Sequence, residues 1–405
     1  MLLDGMRVVS FCHFLQGPAA AQYLADMGAE VVKIEPPGGG YERKWSGGDA
    51  YVDGVSAFFL CAHRNQRTIA LDLKHPRGKE VVDRMIGAAD VVMENFRVGV
   101  MDRLGFGYER VKRLKPDIIY ASASGYGPVG PMVDKPGQDL LVQAYSGLVA
   151  VTGATRPTPI GLAAVDQHGG ALFALGIVAA YVRKLRTGLG TRVDSSLLNA
   201  GIDLQTEPLT SYLTMGADRS ILKRQENLVS WFHQAPYGVY PVADGWIAFS
   251  INDPEKLARA LGSAELAALA GVDRYAERDR YAAAVARAVA GRTLAELAPA
   301  LEAEAIWWQR VQDYDDLRND PQLRENGCFV EVPVKSGKAV LVVHPNRYDG
   351  AAPGVRHLAF EIGQHGREIL AELGYGPSEI EDLAASGAVA LPREAGQARA
   401  GEAGG

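Results

Sequence analysis

The 405-residue chain holds little cysteine, three residues in all. Cys12, Cys61 and Cys328 lie far apart, are odd in number and form no CxxC pair. That excludes a disulfide framework and points to a reducing compartment. No apolar run approaches the roughly 20 residues that span a bilayer, so no membrane partner is expected. The opening MLLDGMRVVSF lacks the charged-then-apolar layout of a secretory leader, and a cytoplasmic location is expected. Positive charge is not in excess. A formal net charge of −6 argues against a broad nucleic-acid surface, while leaving room for a local basic pocket around a small anion. The eight histidines form no HxxxH or HExxH pair, so no metal site is expected. GxSxG and GxxxxGK[ST] are missing too, which removes a serine-hydrolase elbow and a triphosphate loop.

What is present is the composition of a globular protein, 47% hydrophobic and 22% charged, with 46 glycines. The length exceeds what one hydrophobic core usually supports, so a large domain plus a smaller one is expected. Met6–Phe11, Glu30–Glu35, Thr68–Leu73, Asp90–Glu94 and Asp117–Ser122 read as buried strands, four of the five carrying paired Val or Ile. Helical spacing over Pro18–Met27, Pro76–Ala88 and Tyr108–Leu114 separates them, with Pro18 and Pro76 suited to a first turn. Strands alternating with helices imply a parallel, doubly wound α/β sheet. A long apolar helix is expected over Gln167–Thr187, then a strand at Thr191–Ser195. The composition shifts after Ser196, where a linking helix with irregular ends reaches about Gln225. Strands around Asp244-Gly245, alanine-rich helices over Pro254–Leu301 and two strands around Ser336-Gly337 follow. A last helix near Gly363–Leu373 precedes a tail, Arg393–Gly405, of disordered composition.

Gly125-Tyr126-Gly127-Pro128-Val129-Gly130 matches GxGxxG after a strand, but Pro128 and Pro131 oppose the helix a dinucleotide site needs. It reads as an active-site loop or a plain turn. Basic residues (Lys33, Arg43, Arg64, Arg67, Lys74, Arg97 and Arg103) recur at or just after the presumed carboxyl ends of the early strands, the edge where open α/β sheets bind ligands. Scattered Arg and Lys are also what any solvated surface shows. Asp166 stands just before the long helix, followed by Gln167-His168-Gly169-Gly170. It is either an ordinary N-cap or a nucleophile kept ionised by the helix dipole, with glycines admitting a substrate close to the backbone. The residues alone leave both readings open.

Several phrases then share one order. They are Leu24-Ala25-Asp26-Met27-Gly28-Ala29-Glu30-Val31-Val32-Lys33-Ile34-Glu35-Pro36-Pro37, Asn65-Gln66-Arg67-Thr68-Ile69-Ala70-Leu71-Asp72-Leu73-Lys74, Glu94-Asn95-Phe96-Arg97 and Arg103-Leu104-Gly105-Phe106-Gly107. Gly137-Gln138-Asp139-Leu140, the Asp166 segment, Pro236-Tyr237-Gly238-Val239-Tyr240 and Gly363-Gln364-His365 complete them. In this the chain resembles the class III coenzyme A transferases, the formyl-CoA and carnitine CoA transferase type, with α-methylacyl-CoA racemase as a sister branch. The resemblance runs from about residue 3 to 390. It implies an interlocked homodimer with a Rossmann-like large domain built from both chain ends (1–200 and 345–405). Linkers at 201–225 and 326–344 would flank a small α+β domain at 226–325.

The resemblance also implies chemistry. Asp166 would attack an acyl-CoA thioester to give an aspartyl anhydride, then an aspartyl-CoA thioester that passes coenzyme A to a carboxylic or dicarboxylic acid. No tightly bound cofactor is implied, since the CoA thioester is a substrate. CoA contacts carry over to Gln16, Asn95, Phe96 and Arg103, with Leu71 and Lys74 flanking the adenine and 3′-phosphate. Relatives place an arginine directly after the acid at Glu35, where this chain has Pro36, and Arg43 could supply that charge. Leu228–Gln234 lacks the glycine-rich lid of oxalate-specific enzymes. Gln138 stands where racemases carry a histidine, and glutamine cannot shuttle a proton. Asp139 either orients Asp166 or is structural, and His168, Gly169 and His233 are supporting candidates. The competing readings are an acyl-CoA racemase or isomerase, including intramolecular CoA transfer, and a non-catalytic acyl-CoA sensor.

Overall fold

The computed structural model describes residues 1–392, so the expectation for the Arg393–Gly405 tail lies outside the described residues. Seven strands form a central sheet: β1 (Arg7–Ser10), β2 (Glu30–Glu35), β5 (Gln66–Leu71), β6 (Val91–Glu94), β7 (Ile119–Ser124), β8 (Thr191–Ser196) and β14 (Val389–Ala390). A short hairpin, β3 (Tyr51–Val52) and β4 (Val55–Ser56), lies between β2 and β5 in the chain. The spatial order is β14-β5-β2-β1-β6-β7-β8, parallel throughout except for antiparallel β14. β2 and β6 are buried almost end to end, as a parallel sheet covered on both faces requires. Their Val pairs, Val31-Val32 and Val91-Val92, were therefore the readable signal.

One face is covered by the Pro76–Ala88, Gly366–Glu372 and Pro377–Ala385 helices, through Val81, Met85, Ile86, Ile369, Leu370 and Leu383. The other is covered by the Gln16–Asp26 and Ala164–Thr187 helices, through Ala20, Ala21, Leu24, Phe173 and Ile177. Each fully buried large apolar side chain contributes about 1.5–3 kcal/mol. The Gln16–Asp26 and Ala164–Thr187 helices approach closely because the long one has glycines at the crossing. A Cβ on Gly170 would stand 2.9 Å from the Gln16 carbonyl oxygen, and one on Gly169 would be 2.7 Å from Gln16 Nε2. Those two glycines serve helix packing, and the atoms close to them are protein atoms.

By length and composition the Ala164–Thr187 helix is apolar enough to cross a membrane. The expectation that no run reaches that length is corrected. One face of the same helix packs on the sheet, through Phe173, Ala174, Ile177 and Ala180.

The chain divides into two compact units, the first holding Met1–Asp139, Ala164–Ala200 and the chain from Gln322 onward. The second holds Leu140–Ala163 and Gly201–Pro321. Residues 201–225, read as a linker, belong to the second unit, and 326–344 form the hairpin β12 (Phe329–Val334) and β13 (Gly337–Val342) of the first. The second unit has an antiparallel sheet of β9 (Gly238–Val242), β10 (Gly245–Phe249) and β11 (Trp308–Arg310). Tyr240, Ile247, Tyr281, Val285 and Leu297 fill its core.

Candidate active site

In the chain, β1 is followed by a neighbour on one side, and after β5 the connection crosses to β6 on the other. A crevice beyond the carboxyl ends is expected at that reversal. Two segments meet there in a reciprocal pair: His13 N donates to Asn95 Oδ1 and Asn95 Nδ2 donates to the His13 carbonyl, both at 2.8 Å. The His13 ring lies 4.8 Å from those of Phe14 and Phe96. Burial holds its imidazole down to about 4, so it stays neutral at ordinary pH. Asn95 thus braces the loop that leads into the Gln16–Asp26 helix. Gly17 completes the brace, because a Cβ there would be 2.5 Å from Cys12 Sγ.

Asp166 is the third residue of its helix, which begins at Ala164 and not at Gln167. It is therefore not the N-cap. Asp139 caps this turn from elsewhere in the chain, its Oδ2 accepting from Val165 N at 2.8 Å and Asp166 N at 3.0 Å. What brings Asp139 there is a backbone crossing after β7. Gly125 and Gly137 meet so closely that a Cβ on either would lie within 3 Å of the other's Cα. The GxGxxG segment forms part of the loop between them, with no helix opening inside it.

Asp166 is half-buried, and its carboxyl is pushed up to about 7 by burial first and by the Asp139 charge second. A backbone hydrogen bond from Gln16 opposes the shift. The expectation that the helix dipole keeps Asp166 ionised is thereby corrected, since first-turn N–H groups are spent on Asp139. Gln16 is buried, and its side-chain Nε2 has no partner. A buried donor left unmet costs about 1–3 kcal/mol, which a bound carbonyl oxygen would recover. A half-buried carboxyl beside an idle amide donor can attack a carbonyl carbon and hold the oxygen that becomes negative.

The other candidates divide. Lys74 and Arg103 are exposed, just beyond the ends of β5 and β6, and Phe96 is half-buried beside His13. Leu71 is fully buried in the core and pairs with Val389, so its side chain cannot flank an adenine. Arg43 cannot offer a free charge either. It is buried, grips Glu35 with Nε and Nη2 at 2.6 and 2.7 Å, and donates to the Ala359, Phe360 and Glu361 carbonyls. Lys33 binds Glu42 at 2.8 Å and the Cys12 carbonyl at 2.6 Å, deep in the sheet. Arg64 and Arg67 stand at the amino end of β5, not the carboxyl edge, paired with Asp26 and with Glu30 and Glu372. Gln138 is exposed, Asp139 and His168 are half-buried, and Gly169 is buried. His233 lies in the second unit, its Nδ1 2.6 Å from Ser230 Oγ and its ring stacked 4.2 Å from Tyr237.

Sequence reasoning missed Glu94 as a site group. It ends β6, accepts from Phe96 N at 2.8 Å and from the Ser122 hydroxyl, and is pushed up to about 7 by burial. It borders a cleft of about 280 Å³ shared with Arg97, Tyr108, Ser122, Arg192 and Asp194, and Asp166 is not among that cleft's lining. The readable signal was Glu94 closing the apolar run Val91-Val92-Met93.

A model of CoA-transferase family III matches residues 3–366. The chain belongs to CoA-transferase family III. It is 31% identical to the succinate–glutarate CoA-transferase of Agrobacterium fabrum, across 92% of this chain and 95% of the relative. It is 30% identical to the formyl-CoA:oxalate CoA-transferase of Rhodopseudomonas palustris, across 97% and 98%. A CAIB/BAIF family protein from Brucella suis has a similar structure, with a TM-score of 0.79 and 29% identity over 92% of this chain and 99% of that one. As a family III CoA-transferase the chain is an enzyme whose substrates are CoA thioesters.

Proposed function

We propose that this CoA-transferase moves coenzyme A from an acyl-CoA to a carboxylic acid through a covalent intermediate on Asp166, with a dicarboxylic acid as the preferred acceptor class. The carrying observation is the Asp166 carboxyl, held above its ordinary range beside the unpartnered Gln16 amide. With its carboxyl near neutrality, a substantial fraction of Asp166 is ionised at pH 7, and the poorly solvated anion is a better nucleophile than one in water. Its oxygen attacks the thioester carbon, the C–S bond breaks and CoA thiolate leaves. The thiolate then attacks Asp166 Cγ and expels the donor acid. The acceptor carboxylate repeats the sequence in reverse. The dicarboxylate class is supported by relatives named for succinate and glutarate.

Lys74, Arg103 and Phe96 would take the CoA phosphates and an apolar part of the cofactor moiety, at the edge where Asn95 braces the His13 loop. In the same reading the protein works as a cytoplasmic, interlocked homodimer. The exposed apolar stripe of the long helix, Leu175, Val182 and Leu185, supports a second copy. Gln138 supports transfer over α-proton exchange.

Incubation with succinyl-CoA and digestion under mild acid should yield a CoA adduct on the peptide bearing Asp166. Asp166→Ala should lose the adduct and at least about 10³-fold in kcat with glutarate as acceptor. An active Asp166→Ala enzyme, or a wild-type protein without adduct, sinks the mechanism.

A further inference from the structure

An uncapped helix start stabilises an anion through its free N–H groups and its dipole. At Asp166 that advantage is withdrawn. Asp139 Oδ2 takes the N–H groups of Val165 and Asp166. A second carboxylate thereby sits against the turn that carries the nucleophile. The side chains set against the two glycines that follow this turn are uncharged. The Gln16–Asp26 helix presents neutral Gln16 and Ala19, and the Leu197–Asp203 helix presents Ala200. The charged group acting on the Asp166 carboxyl is Asp139, and the Gln16 backbone supplies a single opposing hydrogen bond. Capping alone does not call for charge, because asparagine caps helices about as well as aspartate.

We propose that Asp139 is a positioning residue that also acts electrostatically. It fixes the first turn that carries Asp166 and, as a like charge, makes the free Asp166 carboxylate the high-energy state of the cycle. The inference rests on the covalent reading above. When Asp166 oxygen bonds to the thioester carbon and the C–S bond breaks, the negative charge passes from Asp166 to sulfur. When the thiolate attacks Asp166 Cγ and the C–O bond breaks, the charge departs with the donor acid. No proton moves in either step. In both covalent states the Asp166 side chain is neutral, and its repulsion with Asp139 has vanished. It returns only when the new acyl-CoA is released and the Asp166 carboxylate is restored. Asp139 thus biases the enzyme toward being loaded.

The test compares full-length wild type with Asp139→Asn, which keeps the accepting oxygen and removes the charge. Thermal unfolding near pH 8 should show the variant at least as stable as wild type, because the cap persists and the repulsion is relieved. With succinyl-CoA as probe, occupancy of the CoA adduct on Asp166 should fall about tenfold, the equilibrium counterpart of a shift of roughly one pH unit. The acid limb of adduct formation against pH should move down by that same unit. Asp139→Glu, which restores charge, should recover both readouts in part. Wild-type occupancy and an unmoved acid limb in Asp139→Asn would overturn the inference while leaving the covalent mechanism standing. A wild-type protein that forms no adduct overturns the mechanism itself, and this inference with it.

Discussion

On the β2 and β5 side of β1, buried charges are met by opposite ones: Lys33 by Glu42, Arg43 by Glu35, Arg64 by Asp26. On the side of the long helix, the Asp166 carboxyl meets another carboxylate, and the buried Gln16 Nε2 has no hydrogen-bond partner. Both regions contain ionisable groups close to the sheet. They differ in whether the surroundings complete each group or leave it wanting. A completed pair holds a fold together, and removing one partner strands the other. An incomplete one stores free energy that a substrate can release. Counting Arg and Lys near strand ends cannot tell the two apart, and it placed Arg43 on the wrong side of this divide.

The largest effect that would break the comparison lies in the completed region. Arg43→Ala should destabilise the protein by about 3–5 kcal/mol, since Glu35 would remain buried without its partner. Urea unfolding measures it. A loss under about 1 kcal/mol would mean the pairing is dispensable.

A smaller effect of opposite sign belongs to Asp166. Its carboxyl is raised in the folded state to about 7, so its contribution to stability is fully present below the unfolded value near 4 and is lost as pH rises through 7. Asp166→Asn should therefore match wild type near pH 4 and exceed it by roughly 2 kcal/mol at pH 8, allowing for partial solvation. Equal stability at both pH values would show that the site stores nothing.

The smallest effects should come from the exposed edge. Lys74→Ala and Arg103→Ala should each raise KM for acyl-CoA about tenfold, with little change in kcat or melting temperature. A fall in kcat at constant KM would move these residues from binding to chemistry.

Much of the fold was legible because parallel strands announce themselves by runs such as Val31-Val32 and Val91-Val92-Met93. Glu30–Glu35 and Pro76–Ala88 match their expected bounds. The last pieces were not legible: β14 is two residues long, and its strand status comes wholly from pairing with Leu71 and Ala70. For the site, Asp166 could be singled out, but its register and charge state could not. Both depend on Asp139, a partner 27 residues away in the chain, reached through a backbone crossing with no local periodicity. The commitment of Arg43 to Glu35 likewise depends on how the turn after β2 closes.

The crossing of Gly125 over Gly137 has a consequence for how this enzyme can change. Main chain rests on main chain there, with no room for a side chain on either strand of the cross. The span between them is therefore a tethered flap whose two ends are clamped together. Its composition can be rewritten without dragging Asp139 off the turn it holds, whereas a single methyl group at either clamp would pry the two apart.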